Sequence, residues 1–105
     1  MSIKQDVFIK RPGEVPRHVA MSLRLENLQR YVGGYIEVVN ITSDFAIICD
    51  EEGRLKNKPY NCTICNCSFV GDIIFVGIDG EEFTSVPISF KDFKHAFPRL
   101  WELPA

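Results

Sequence analysis

Long apolar runs are missing from this sequence. No stretch approaches the length needed to cross a bilayer, and Met1-Ser2-Ile3-Lys4-Gln5-Asp6 lacks the apolar core of a signal peptide. The expectation is a cytoplasmic protein with no membrane partner. A strong charge of either sign is missing too: the formal net charge is -2 over 105 residues. Such a chain has no field to hold it on nucleic-acid phosphates, so nucleic acid is disfavoured as a partner. Histidine is scarce, with only His18 and His95, and neither sits in a local pattern that would activate a nucleophile. A P-loop, a dinucleotide fingerprint and a Ser-His-Asp pattern are all absent. No reaction can be named, and the chain is expected not to be an enzyme.

What is present is globular. Hydrophobic residues make up 46% and charged residues 25%, values that argue against a disordered tail. At this length a single domain, residues 1–105, can bury roughly two thirds of its unfolded surface in one core. Eight Phe supply large core volumes.

Taken in order, Val7-Phe8-Ile9 predicts a first strand that stops at the turn Lys10-Arg11-Pro12-Gly13, with Arg17 to Met21 returning as its hairpin partner. Ser22 is placed to cap a helix of about three turns in which Leu25, Leu28 and Val32 share a face. Gly33 or Gly34 is the natural residue to leave that helix in the left-handed conformation. At this point the apolar period changes from helical to two, and Tyr35 to Ile41 predicts a central strand. Phe45 to Cys49 should pair with it, closed by Asp50-Glu51-Glu52-Gly53. Asn57 to Asn61 reads as an ordered polar loop. Phe69 to Ile78 is a continuous apolar run suited to an interior strand, and Asp79-Gly80 is a hairpin signal before Glu82 to Val86. Ser89 can cap a last helix carrying Phe90, Phe93 and Phe97, ended by Pro98. The fold class is therefore α+β: a small, mostly antiparallel sheet of four to six strands with two helices, one before the Gly-Gly turn and one near the C-terminus.

Three clusters carry chemistry. Cys62-Thr63-Ile64-Cys65-Asn66-Cys67 has the spacing of a zinc knuckle, but a closed site needs four ligands. Cys49 is the candidate fourth, with His18 or His95 as substitutes. Reduced, cofactor-free thiols are the expectation, and zinc is the subsidiary reading. Asp50, Glu51 and Glu52, with Asp79, form a candidate acidic interaction surface, against the plainer reading of solvated turns. Tyr60 and Asn61 stand in a polar loop where an aromatic ring can stack on a base. Arg54, Lys58 and Asn61 can meet phosphate or ribose oxygens. Gly33 and Gly34, kept small, would let a ligand approach beside Tyr35 and opposite Pro59, which makes Gly33, Gly34, Tyr35, Arg54, Lys58, Pro59, Tyr60 and Asn61 the candidate ligand site.

Leu28-Gln29, Val32-Gly33-Gly34-Tyr35-Ile36-Glu37-Val38-Val39, the acidic turn Asp50 to Gly53, Leu55, Pro59 and Asn61 resemble a family of small proteins of unknown function from bacteriophages, plasmids and Gram-positive bacteria. In that family the loop usually reads Leu-Pro-any-Asn-Arg. Here Lys58 replaces the Leu and Cys62 the Arg, which removes one basic group. The resemblance implies an α+β fold and a mobile-element origin, and it transfers no active site.

Two functions compete on this reading. The first is a non-catalytic binding protein, a phage anti-defence product that sequesters a nucleotide-derived host immune signal in the host cytoplasm. The second is an interaction module that inhibits a host enzyme through the acidic surface. Exposed edge strands in so small a sheet also leave room for a homo-oligomer.

Overall fold

The computed structural model describes residues 3–103; Met1 and Ser2, at the start of the N-terminal segment, and Pro104 and Ala105 lie outside the described residues. In chain order the elements are β1 (Lys4–Lys10), β2 (Arg17–Ser22), α1 (Leu25–Val32), β3 (Ile36–Thr42), β4 (Phe45–Asp50), β5 (Tyr60–Ile64), β6 (Cys67–Val70), β7 (Ile73–Asp79), β8 (Glu82–Thr84) and α2 (Phe90–Ala96), followed by a 3-10 turn (Pro98–Trp101). The order across the main sheet is β2-β1-β7-β4-β3, with β8 beside β7, and all pairs are antiparallel; β5 and β6 form a separate hairpin. This is the α+β architecture expected from the sequence.

The two faces of the sheet bury different side chains because strand residues alternate. Val7, Ile9, Ala46, Ile48, Ile74 and Val76 point to one face, which α1 covers with Leu28 and Val32. Phe8, Phe45, Ile47, Cys49, Ile73 and Phe75 point to the other, under α2 and the β5–β6 hairpin. On that second face Phe93 is fully buried and stacks on Phe8 at 4.4 Å between ring centroids, with Phe75 edge-on at 4.8 Å. Ser89 caps α2 as expected, its Oγ accepting from the Asp92 N–H at 3.1 Å. No helix among the described residues is long and apolar enough to cross a membrane.

Four expectations are corrected. Tyr35 to Ile41 is not central: β3 is an edge strand, and the centre belongs to β7 and β4. The physical reason is visible in the burial, since Phe45 to Ile48 and Ile73 to Val76 are buried on both faces whereas Glu37, Val38, Asn40 and Thr42 of β3 are exposed. Ser22 does not cap α1. It is the last residue of β2, Arg24 occupies the cap position without a side-chain bond, and α1 has eight residues with Leu25 left exposed. The run Phe69 to Ile78 is two strands, because Gly71 takes φ 72° and turns the chain between β6 and β7. The polar loop ends earlier than expected, at Pro59, and Tyr60 opens β5.

Candidate functional site

The helix-to-strand junction is built around Asp50, the last residue of β4. Its side chain is 1% exposed, and Oδ2 accepts from Lys58 Nζ at 2.7 Å and Lys56 Nζ at 2.8 Å while Oδ1 accepts from the Glu52 N–H at 2.9 Å. The same two ammonium groups donate to the last carbonyls of α1, Lys58 to Val32 at 2.6 Å and Lys56 to Gly33 at 2.9 Å. Two lysines thus satisfy carbonyl groups that a helix end leaves free and sit where the helix dipole favours cations. Burial pushes the Asp50 carboxyl up, and the bonds from Lys56, Lys58 and the Glu52 N–H outweigh it and hold the pKa down at about 2.

This knot explains the Gly-Gly doublet. Gly33 leaves the helix at φ 85°, and Gly34 packs where a Cβ would come within 2.7 Å of Asp50 Oδ1 and 2.5 Å of Lys56 Nζ. Lys58 and Gly33 are brought together, but the Lys58 ammonium is committed to Asp50 and Val32. Tyr35 is two-thirds exposed, and its backbone carbonyl accepts from the Glu51 N–H at 2.8 Å. Arg54 is likewise engaged, donating from Nη2 to the Ser68 carbonyl at 2.7 Å. Pro59 lines an open groove with Arg11, Lys58 and Asp72, and its carbonyl accepts from the Gly71 N–H.

Tyr60 and Asn61 face a different space. A hollow of about 500 Å³ lies between the β1–β2 turn, β5 and the C-terminal 3-10 turn, lined by Lys10, Tyr60, Asn61, Cys62, Thr63 and Arg99 among others. Gly33, Gly34 and Tyr35 do not line it. Asn61 is 7% exposed and donates both amide hydrogens, to the Lys10 carbonyl at 2.8 Å and the Gly71 carbonyl at 2.7 Å. Reversing the amide would set its oxygen against those two carbonyls, so the bonds fix which way it points. Among the described residues no donor reaches its buried Oδ1. The Tyr60 ring is exposed, and its hydroxyl shares a hydrogen bond with Thr63 Oγ1 at 2.6 Å.

Lys10 and Arg99 join this site, and sequence reasoning missed both. Lys10 is 4% exposed, yet among the described residues no carboxylate lies within ion-pair distance of its ammonium. A 3.4 Å bond to the Arg11 carbonyl is its hydrogen bond. Burial lowers the Lys10 pKa, against the nearby Cys62 and Glu14. One signal was available. Lys10 lies two residues beyond Phe8 on the same strand, so strict alternation places it on the inward face.

The cysteines separate. Cys65 and Asn66 form the two-residue turn of the β5–β6 hairpin, with φ 50° and 64°, so the knuckle-like spacing belongs to a type I′ turn. Cys65 is exposed, Cys62 is buried beside Lys10, and Cys49 and Cys67 line a smaller hollow of about 220 Å³ with Glu37 and Arg54. Among the described residues no group of three or more His, Cys, Asp or Glu is arranged to hold a metal ion. Burial pushes the Cys49 thiol up to about 11, with Glu37, Cys67 and Asp50 adding to it; burial likewise raises Cys62 to about 11 against Lys10.

The acidic residues separate as well. Glu51 and Glu52 are exposed beside buried Asp50 at one end of β4. Asp79 ends β7, which runs antiparallel to β4 in a register pairing Phe45 with Gly77, so Asp79 stands at the opposite end of the sheet.

Residues 3–97 match the family model of a domain of unknown function, DUF3846. No curated protein and no solved structure matches the chain.

Proposed function

The chain belongs to the DUF3846 family, a domain of unknown function, and from that premise we propose that it is a non-catalytic binding protein for a small, anionic, nucleotide-like molecule held in the hollow between Lys10, Tyr60 and Arg99. The observation that carries this reading is the Lys10 ammonium, a buried cation beside the hollow with no carboxylate among the described residues within ion-pair distance. Burying a charge without a counter-charge costs several kcal/mol, roughly, and an anion seated beside it removes that cost. Arg99, which lines the hollow from the 3-10 turn next to Glu102, supplies a planar fork for phosphate or carboxylate oxygens. Tyr60 offers an aromatic face on which a base can stack, and stacking of this kind contributes about 1–3 kcal/mol. A hollow of about 500 Å³ falls in the size range of small-molecule sites.

The finer form of the reading is sequestration of a nucleotide-derived host immune signal by a phage-encoded protein. Sequestration requires tight binding and no turnover. It suits a site whose lining thiol, Cys62, is held protonated by burial.

Thermal unfolding of the full chain in the presence of mononucleotides, cyclic dinucleotides and ADP-ribose derivatives tests the proposal. Ligand at hundredfold excess over Kd adds about 2.7 kcal/mol of stability, enough to raise Tm by several degrees in a domain of this size. At least one member of the panel should do so for the wild type and fail to do so for Lys10→Met. The absence of stabilisation by every member at saturating concentration overturns the proposal.

A further inference from the structure

The outer edge of β3 has a specific hydrogen-bonding pattern that the fold leaves unused. The Tyr35 carbonyl accepts from the Glu51 N–H, and the Asp44 carbonyl, on the far side of β4, accepts from the Ile78 N–H. In an antiparallel ladder the direction of backbone groups alternates from residue to residue. With the register Glu37 to Cys49 and Val39 to Ile47, those two bonds fix the odd-numbered residues of β3 as the ones that bond β4. The N–H and C=O groups of Ile36, Val38 and Asn40 therefore point outward, and among the described residues no strand pairs with that side.

Natural sheets guard such edges with lysine, proline or inward charges. At the opposite edge, β2 follows Pro16 and carries Arg17 and His18, the latter 3.2 Å from Asp6. β3 carries no lysine, arginine or proline, and Glu37 is its single charge. Val38 is 40% exposed and the adjoining Tyr35 67%.

We infer that the β3 edge pairs with the β3 edge of a second copy of this chain, antiparallel about a two-fold axis through Val38. The occupant follows from the charge pattern and the outward groups together. With Val38 opposite Val38 of the second copy, Ile36 faces Asn40 and Asn40 faces Ile36, and each of these three pairs exchanges two hydrogen bonds. Every outward backbone group of the three residues is then satisfied. Glu37 lies opposite Val39 of the second copy, away from its own mate. Sliding the register by two residues toward the N-terminus would set Glu37 against Glu37, which like-charge repulsion disfavours. The pairing is isologous and closes at two copies, joining the two main sheets into one.

The test uses the full chain in sedimentation and light scattering, with Val38→Pro and Val38→Lys as variants. Proline at position 38 removes an outward N–H and leaves the bonds to β4 in place, and lysine keeps the backbone while charging the edge. The wild type should run at twice the chain mass and both variants at the chain mass, with circular dichroism unchanged for at least one. Amide exchange at Ile36, Val38 and Asn40 should be slow in the wild type and fast in Val38→Lys. A wild type that stays at the chain mass up to high micromolar concentration overturns the inference, as does a dimer that survives both substitutions. Neither result depends on whether the Lys10 hollow binds a nucleotide.

Discussion

The Lys58 ammonium stands 2.7 Å from the carboxylate of Asp50, whose side chain is 1% exposed. The pair closes the end of β4 onto the end of α1, since the same ammonium also bonds the Val32 carbonyl. Removing the acid strands two cations, whereas removing one lysine leaves the other in place. Asp50→Ala should therefore cost about 3–5 kcal/mol in urea unfolding. Lys58→Ala should cost less than Asp50→Ala but more than Lys56→Ala, because Lys58 is 23% exposed and Lys56 39%. An Asp50→Ala cost no larger than that of a surface substitution would show that the knot contributes little.

Acid should weaken the same knot. The folded pKa of Asp50 is about 2, below the ordinary 3.8. A depressed carboxyl stabilises the fold above the unfolded pKa, and that stabilisation is lost as pH falls from about 4 through about 2. The contribution is about 2 kcal/mol. Asp50→Asn should be less stable than the wild type at neutral pH, and the gap should narrow as pH falls through this window. Parallel stability curves for the two proteins across it would contradict the assignment.

Gly34 should be intolerant of even one methyl group. A Cβ there meets the Asp50 carboxylate, which is held by three hydrogen bonds, as well as the more mobile tail of Lys56. Overpacking of this kind costs about 1–3 kcal/mol, so Gly34→Ala should lower stability by that amount in chemical unfolding. In an Asp50→Ala background the penalty of Gly34→Ala should shrink, and a fully additive double mutant would place the clash elsewhere.

The β5–β6 turn can be improved. Cys65 and Asn66 both hold positive φ, the geometry that Asn-Gly fills best. The double change Cys65→Asn and Asn66→Gly should raise stability by about 0.5–1 kcal/mol if Cys65 is only a turn residue, because Asn and Gly bear the left-handed conformation at less cost than the residues they replace. A loss of stability would mean that the Cys65 thiol makes a contribution of its own.

The sequence carried the local rules of this fold clearly and its sheet order poorly. A left-handed exit of α1 at Gly33 or Gly34, Ser89 as a cap, and Asp79-Gly80 as a hairpin signal each rest on backbone chemistry within a few residues; the last two are found in place and the exit falls at Gly33. The edge position of β3 depends on which strands bury both faces, a property of the whole sheet. The β5–β6 hairpin was hidden because its turn uses Cys-Asn, where glycine usually advertises the geometry. At the site, Tyr60 and Asn61 could be named from polarity and aromatic character alone. Lys58 could not be known to be spent on Asp50, because the pairing depends on how the loop between β4 and β5 folds back over the end of β4. Lys10 was hidden by looking like the first residue of a turn, when its carbonyl is bonded by Asn61 across 51 positions of sequence.

The nucleotide-like anion proposed for the hollow beside Lys10 is open to direct test. Its most direct test is a titration of the isotope-labelled full chain with the nucleotide that gives the largest rise in Tm, followed by amide and side-chain nitrogen chemical shifts. The perturbations should concentrate at Lys10, at Tyr60 to Thr63 and at Arg99, with Lys10→Met weakening binding by about 10- to 100-fold, the worth of one charge-assisted hydrogen bond. Perturbations centred instead on Gly33, Gly34 and Tyr35, or binding that Lys10→Met leaves unchanged, would contradict it.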